Sequence, residues 1–244
     1  LAQFLQTLPG FIHSGEQGGQ LYIRGGSEVQ SSFLLDGIPV YNPFHSLSLF
    51  SIIDADILQS VSVYSGGFSS DLGGRISAIM DTKTRDGNRT KLAGKLSVST
   101  LGINSEFEGP LGHKGVLQKT TFLVSGKSSL VNTVAPVIYP YTGTSGMPYS
   151  FTDLFGKLTH SGLNGNKISL TSFRFSDRVD LDTTLSYDWV NYGLGGSVVI
   201  VPNHSNGLIK AFLNYSSYRM NWLEKSTEET RRFSEISTVR LLIE

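Results

Sequence analysis

"LYIRGGSEVQSSFLLDGIPVYN", residues 21–42, contains two short apolar runs with a glycine pair between them and an Asp-Gly turn near the end. The apolar runs and the turn residues around them are typical of short β-strands. Two charged residues, Arg24 and Asp36, interrupt this strand-like pattern. What these two charges face decides how the segment packs.

The rest of the first third also has the pattern of a small mixed unit. Residues 1–8 place leucine and phenylalanine at helical spacing, and Pro9-Gly10 follows. Four runs then have the pattern of strands: QLYIRG, SFLLDGIPV, ILQSVSVYSG and RISAIMDTKTR. A fifth segment, SLFSIIDADI, favours a short helix. We expect residues 1–88 to form a compact α+β domain with glycine-built corners.

Composition excludes several classes of protein and site. The chain has 244 residues with 20 basic and 20 acidic side chains, so no basic face for nucleic acid is indicated. It contains no cysteine, which removes disulfides and thiolate metal sites. Its five histidines have no metal-ligand spacing, and no nucleophile elbow or phosphate-binding loop occurs. We therefore expect no enzyme, no cofactor and no metal site.

From residue 91 onward, the sequence alternates between apolar and polar residues. The clearest face is Tyr192, Leu194, Gly196, Val198 and Ile200, which carries no charge, and the segments 91–99 and 207–217 alternate in the same way. The runs are often ten residues or more, longer than the five or six usual in soluble sheets. No apolar run approaches the roughly 18 residues of a membrane-spanning helix, and no signal peptide is visible.

The connections between these runs favour a transmembrane β-barrel. Short turns at 109–115, 162–166 and 202–207 alternate with longer connections at about 131–148, 177–186 and 222–232. We count about eight strands, and we expect the chain to be a piece of a longer protein whose barrel continues beyond Glu244. Aromatic residues near strand ends could form interfacial girdles or could simply pack against neighbours: Tyr149, Phe151, Tyr187, Trp189, Tyr218 and Trp222.

An ordered set of motifs resembles the plug domain of TonB-dependent outer-membrane receptors. The motifs are LPGF, IRGG, SFLLDGIPVYNP and ADILQSVSVYSGGFSSDLGGRISAIMDTKT, with a spacing similar to the Bacteroidota form. FEGPLG, DLFGKLTH, NKISLTSFRFSD and DWVNYGLGGSVV are similar to early barrel strands of that family. The resemblance implies a plug over 1–88 and, over 89–244, about eight of an expected 22 antiparallel barrel strands.

The resemblance also implies a function and partners. The chain would belong to a receptor in the bacterial outer membrane that binds a scarce extracellular ligand and imports it with energy passed on by TonB. The implied partners are outer-membrane lipid, TonB through a segment absent here, a small ligand such as a metal chelate, glycan or peptide, and a surface lipoprotein. Cofactors, metals and nucleic acid are not implied.

Residue roles follow from the same resemblance. Arg24 would lock the plug to barrel glutamates, or would be a solvated edge arginine. The structural turns would be built by Gly25, Gly26, Asp36, Gly37, Gly66, Gly67, Gly73 and Gly74. The ligand would meet apical residues of the plug: Ser27, Glu28, Gln30, Tyr41, Asn42, Phe44, His45 and Phe68. These residues could instead only line the lumen.

Two other functions stay open from the sequence. A non-transporting outer-membrane protein could use a plug-like domain as a structural part in adhesion or secretion. A secreted β-sheet enzyme is the third alternative, although no catalytic motif supports it.

Overall fold

The computed structural model describes residues 11–14, 20–26, 30–45, 51–69, 72–112, 119–138, 149–162, 165–180, 185–202, 207–225 and 229–243. The helix predicted over 1–8 and the glycine pair at 18–19 lie outside the described residues. Among the described residues, no helix has the length and apolar character needed to cross a membrane.

The N-terminal unit, which we define as the described residues up to 88, contains two small sheets. β1 (Phe11–Ser14) pairs with β2 (Gln20–Ile23), and the second sheet has the order β4-β3-β6-β5. Its strands are β3 (Ser32–Leu35), β4 (Ile38–Val40), β5 (Leu58–Tyr64) and β6 (Ile79–Thr84). The four predicted runs are thus strands, the second of them a hairpin, whereas β1 was not predicted.

The short helix predicted within 48–57 is smaller than expected. In its described part, only Ala55–Ile57 is helical, as one 3-10 turn capped by the Asp54 side chain. Ile52 and Ile53 are buried but not helical. Burial of these two apolar side chains, rather than a helical period, explains the apolar pattern.

The two charges in the opening stretch occupy equivalent positions in two tight turns. Arg24 and Gly25 have φ of 48° and 78°, and Asp36 and Gly37 have φ of 49° and 82°. Positive φ at both central residues is the pattern of a type I′ turn, whose twist matches that of the flanking strands. The charges therefore project from turns and not from the strands themselves.

The C-terminal part forms one eight-stranded antiparallel sheet, which we call the wall. Its strands follow in sequence order: β7 (Ala93–Val98), β8 (Gly102–Pro110), β9 (Thr120–Ser129), β10 (Tyr149–Ser161), β11 (Lys167–Asp180), β12 (Leu185–Ile200), β13 (Ile209–Lys225) and β14 (Glu229–Ile243). The predicted number of strands is confirmed. A helix not expected from the sequence, α1 (Val131–Ile138), follows β9.

The predicted alternation of short and long connections is wrong at two places. β11 continues to Asp180 and β12 starts at Leu185, while β13 continues to Lys225 and β14 starts at Glu229. The polar residues assigned to loops there are paired strand residues instead. Strands that extend beyond an apolar band carry polar residues on both faces, so polarity alone did not mark the strand ends.

The outer face of the wall is apolar and exposed. Leu158, Leu170, Leu213 and Leu241 lie in one row across the sheet, with Gly196 between the second and third. Each of these leucines is 42–67% exposed. The outward positions from Tyr192 to Ile200 on β12 span about 26 Å along the strand, comparable with the apolar band of an outer-membrane barrel.

The inner face of the wall packs on the N-terminal unit. Phe155, Phe173 and Phe175 join one buried cluster with residues of that unit, including Phe33, Leu35, Ile38, Val40, Phe44, Ile53 and Met80. The girdle hypothesis fails here, because the six aromatic residues near strand ends have inward parity. Tyr149 and Phe151 are only 2% and 3% exposed.

Candidate functional site between the N-terminal unit and the wall

The Asp36-Gly37 turn binds both to its own unit and to the wall. Asp36 Oδ1 accepts a hydrogen bond from the Thr84 backbone amide at 2.9 Å, and Oδ2 accepts from Thr84 Oγ1 at 2.5 Å. From the wall, Thr171 Oγ1 donates to Asp36 at 3.2 Å, and Lys157 Nζ lies 3.3 Å away. Asp36 was predicted only as a turn residue, so the ion pair is an additional role.

The buried Lys157 is the centre of a group that we call the Lys157 cluster: Asp36, Thr84, Asp86, Lys157 and Lys167. The Lys157 amine donates to Thr84 O at 2.9 Å and lies 3.8 Å from Asp86, which also binds Lys167 at 2.7 Å. Burial alone would raise the pKa of Asp86, but the bond and charge of Lys167, with Lys157, outweigh it and lower that pKa. Two wall cations thus meet two acids of the N-terminal unit.

The same turn approaches the wall closely at Gly195. A Cβ placed on Gly195 would lie 2.3 Å from Asn214 Oδ1 and 2.8 Å from Ile38 Cγ1. Asn214 Nδ2 in turn donates to Gly37 O at 2.9 Å. The absence of a side chain at Gly195 therefore allows the turn to sit against β12 and β13.

A second group, which we call the His45 cluster, contains His45, Lys127, Asp153 and Asp177. His45 Nε2 lies 2.7 Å from Asp153 Oδ2, and Nδ1 lies 2.5 Å from Asp177 Oδ1. The His45 ring stacks on Phe151, with 4.1 Å between centroids. Burial lowers the pKa of His45, but the bonds and charges of Asp153 and Asp177 outweigh it, so the pKa is raised.

A third contact joins Arg85 to the first strands of the wall. Its guanidinium forms ion pairs with Glu106 and Glu108 of β8, and its Nε donates to Asp56 O at 2.8 Å. Asp56 also pairs with Lys95 of β7. In the described part of the chain, no three His, Cys, Asp or Glu side chains are arranged to hold a metal ion.

The predicted lock residue lies away from these contacts. Arg24 is exposed, in the turn after β2, and its Nη1 is 3.4 Å from the position of a Cβ on Gly66. Of the predicted turn residues, Gly25, Asp36, Gly37, Gly67 and Gly74 have positive φ, and a Cβ on Gly26 would lie 2.1 Å from Ser77 Oγ. The barrel-lock role of Arg24 stays a prediction.

The predicted ligand-facing residues fall into two sets. Phe44 and His45 are 2% and 1% exposed and lie against the wall, which does not fit the predicted contact with an extracellular ligand. Tyr41 and Asn42 are partly exposed but bind Thr238 and Asn191 of the wall. Gln30 and Phe68 are partly exposed, while Ser27 and Glu28 lie outside the described residues.

A cavity of about 390 Å³ separates part of the N-terminal sheet from the wall. Its lining carries more cations than anions: Lys83, Lys157, Lys167, Lys210 and Arg240 against Asp36 and Asp81. Burial raises the pKa of Asp81, although Lys83 acts in the other direction. The N-terminal unit and the wall are therefore not in close contact at this cavity, and its lining carries a net positive charge.

The charged wall residues were missed in the sequence, although a signal was present. On β10, Asp153 and Lys157 have the opposite parity to the exposed Leu154 and Leu158. A charge that alternates with an outward apolar residue must point inward, where it needs a partner.

Comparison with protein families identifies the N-terminal part. Residues 1–78 match the model of the TonB-dependent Receptor Plug Domain. No curated protein sequence matches the chain.

Solved structures of similar fold cover nearly the whole chain. The haemophore receptor HasR of Serratia marcescens, in complex with its haemophore HasA and haem, has 15% identity and a TM-score of 0.68 over 98% of this chain and 38% of its own. The siderophore receptor PirA of Acinetobacter baumannii has 14% identity and a TM-score of 0.66, covering 98% and 42%. The FrpB iron transporter of Neisseria meningitidis (F3-3 variant) has 14% identity and a TM-score of 0.69, covering 100% and 42%.

The chain thus spans about two fifths of the length of these structures. Their descriptions call them receptors and a transporter. The Bacteroidota type stays a prediction. Residues 1–78 thus match the plug domain of TonB-dependent receptors, and the eight strands that follow have the fold of part of the barrel in the receptor structures above.

Proposed function

We propose that the chain belongs to a receptor that binds a scarce extracellular ligand and imports it through a plugged barrel. The observation that carries this proposal is the contrast between the two faces of the wall. The outer face is exposed and apolar, as lipid requires, while the inner face is covered by the plug and combines a buried aromatic cluster with ion pairs to it. A structural or adhesive protein has no need for a lumen blocked by a separately folded domain that is held by polar contacts.

The division into domains is part of the proposal. We assign residues 1–88 to the plug and 89–244 to the barrel, which is supported by the end of the plug sheet at Thr84 and the start of the wall at Ala93. In the described chain, β7 and β14 each pair along one edge only. Unpaired edges in lipid are costly, so we propose further strands that close the barrel, to a total of about 22.

The ligand class is supported by the structural neighbours. They bind haem with a haemophore, or siderophores, or transport iron, as their descriptions state. A metal chelate is therefore the first candidate for this receptor, and glycans and peptides are the next. TonB energy coupling and a surface lipoprotein partner are proposals of the same kind.

Uptake by a deletion strain tests the function. Cells without the full-length gene are compared with complemented cells for growth on ferric chelates, haem, cobalamin, glycans and peptides as limiting nutrients, with and without a functional TonB system. We expect loss of growth on one class, restored by the gene only when TonB is functional. Normal growth on all nutrients, with a defect in adhesion or secretion, would favour the structural alternative.

A further inference from the structure

The two ring nitrogens of His45 are both used in hydrogen bonds to carboxylates. The distances of 2.7 Å to Asp153 and 2.5 Å to Asp177 are those of charge-assisted bonds. A neutral imidazole has only one N–H, so it can donate only one of these bonds, whereas an imidazolium donates both. With both carboxylates ionised, this geometry is satisfied only by a protonated His45.

The charges around the ring also favour the imidazolium. Lys127 of β9 interacts electrostatically with Asp153 and Asp177, and with these three groups charged the cluster is neutral only when His45 is positive. Asp54, a partly exposed acid of the plug, acts on Lys127 as well and makes the surroundings more negative. Within the described residues, Asp153 Oδ1 has no hydrogen-bond partner, so His45 is the hydrogen-bond partner of this buried carboxyl through Oδ2.

His45 ends a plug segment that crosses the inner face of the wall. In the segment 41–45, Tyr41 contacts Thr238 of β14, and the Asn42 carbonyl accepts from Asn191 of β12 at 3.3 Å. The contacts of Tyr41 and Asn42 join uncharged groups and are partly exposed, while that of His45 is buried and joins ionisable groups. His45 thus supplies the ionic contact of a segment whose neighbouring residue, Phe44, is buried in the apolar cluster.

The polarity of this contact is opposite to that of the Lys157 cluster. Asp153 and Lys157 lie four residues apart on the inner face of β10, about 13 Å along the strand. At the first, an acid of the wall meets a cation of the plug; at the second, a cation of the wall meets acids of the plug. A plug displaced along the strand would bring like charges together, so the pattern specifies one docking position.

We propose that His45 is a positioning residue whose imidazolium fastens the plug segment 41–45 to β10 and β11, and that loss of its proton releases this segment from the wall. The released segment would uncover Asn191, which is 3% exposed in the docked state. The proposal concerns the docking of the plug and does not depend on which ligand is imported.

Thiol labelling at Asn191 tests the proposal. The chain contains no cysteine, so Asn191→Cys can be introduced into a cysteine-free full-length protein in outer membranes and labelled with a maleimide. Ser169→Cys, on the wall beside the Lys157 cluster, is the reference for the pH dependence of thiol reactivity. The ratio of the two labelling rates is measured from about pH 6 to 10, a range that begins near the ordinary histidine pKa of about 6.5.

We expect a low ratio at the acidic end of this range and a rise of up to about tenfold per pH unit between the ordinary histidine pKa and the raised pKa of docked His45. Above the docked-state pKa the ratio should level off. His45→Gln should give a high ratio that does not change with pH. Asp177→Asn should shift the rise to lower pH, because one of the two acids that favour the cation is lost. His160→Gln, which changes a wall histidine that bonds to Thr120 Oγ1 at 2.9 Å, should behave like the parent.

Heat-modifiable migration of each variant in detergent gels confirms that its barrel is folded. A ratio that stays constant with pH in the parent would overturn the proposal. The same holds if His45→Gln leaves the ratio at the parent's low value, or if Asp177→Asn shifts the rise to higher pH.

Discussion

Lys157 of the wall and Asp36 of the plug form a buried ion pair, with Nζ 3.3 Å from Oδ2 and the Lys157 side chain 6% exposed. Lys157→Met should weaken the docking of the plug by about 3–5 kcal/mol, because it leaves a buried carboxylate without its cation. The measurement is the urea concentration at which the plug dissociates from the barrel, followed by the onset of ion conductance in planar bilayers.

Lys83→Met is the matched control. Its amine pairs with Asp81 at 3.5 Å, but the Lys83 side chain is 59% exposed, so the change should cost less than about 1 kcal/mol. Equal urea midpoints for Lys157→Met and the parent would show that the buried pair does not hold the plug.

Two neighbouring glycines of β12 allow a sharp test of close packing. Gly195→Ala should displace the plug turn, since its Cβ would lie 2.3 Å from Asn214 and 2.8 Å from Ile38. Gly196→Ala adds the same atom on the outer face, where nothing lies within 4 Å, and should have little effect. The urea midpoint for plug release should fall for Gly195→Ala alone. A similar fall for both variants would mean that alanine acts through its β-strand propensity and not through a clash with the plug.

Alternation along the strands predicted the wall, because an exposed apolar face and a face covered by the plug impose opposite demands on neighbouring residues. Leu194 and Leu213 are exposed as expected for an outer face, and Asn214 is buried on the inner one. Strand ends were not predictable in this way. At Asp177–Asp180 and Leu223–Lys225, pairing continues beyond the apolar band, so the residue pattern changes while the backbone does not.

The contacts between the plug and the wall could not be predicted from the sequence for a different reason. His45 meets Asp153 and Asp177 across 108 and 132 residues of chain, and no local pattern specifies such partners. The turn chemistry of Asp36-Gly37 is local and was predicted, but its ion pair with Lys157 depends on how the plug sits in the barrel.

Arg24 remains the predicted lock between the plug and barrel strands outside this chain. If the prediction holds, Arg24→Ala in the full-length protein should increase passive leak, because acids of the lumen lose their bidentate partner. Leak is measured as the entry of a large antibiotic that is normally excluded. Arg75→Ala, which removes another exposed plug arginine, is the control. Equal leak in the parent and both variants would remove Arg24 from the lock role.

Acid should release the plug through Asp86. Its pKa is lowered in the docked state from an ordinary value of 3.8, so its contribution is present above about pH 4 and is lost as pH falls through the docked-state pKa. The urea midpoint for plug release should therefore fall in acid. Asp86→Asn should remove much of this acid dependence and lower the midpoint at neutral pH. If the urea midpoint of Asp86→Asn falls in acid as much as that of the parent, a group other than Asp86 causes the acid dependence.

The outer row of leucines offers a direct test that this face contacts lipid. Leu213 is 59% exposed and lies between Gly196 and Leu241 in the row across the sheet. Leu213→Arg should destabilise the folded barrel in bilayers by about 2–4 kcal/mol, the cost of a cation near the middle of the membrane. Leu213→Phe keeps the position apolar and should change the unfolding free energy far less. Urea unfolding in phosphatidylcholine vesicles measures both variants, and an arginine variant as stable as the phenylalanine variant would mean that this face is in contact with water.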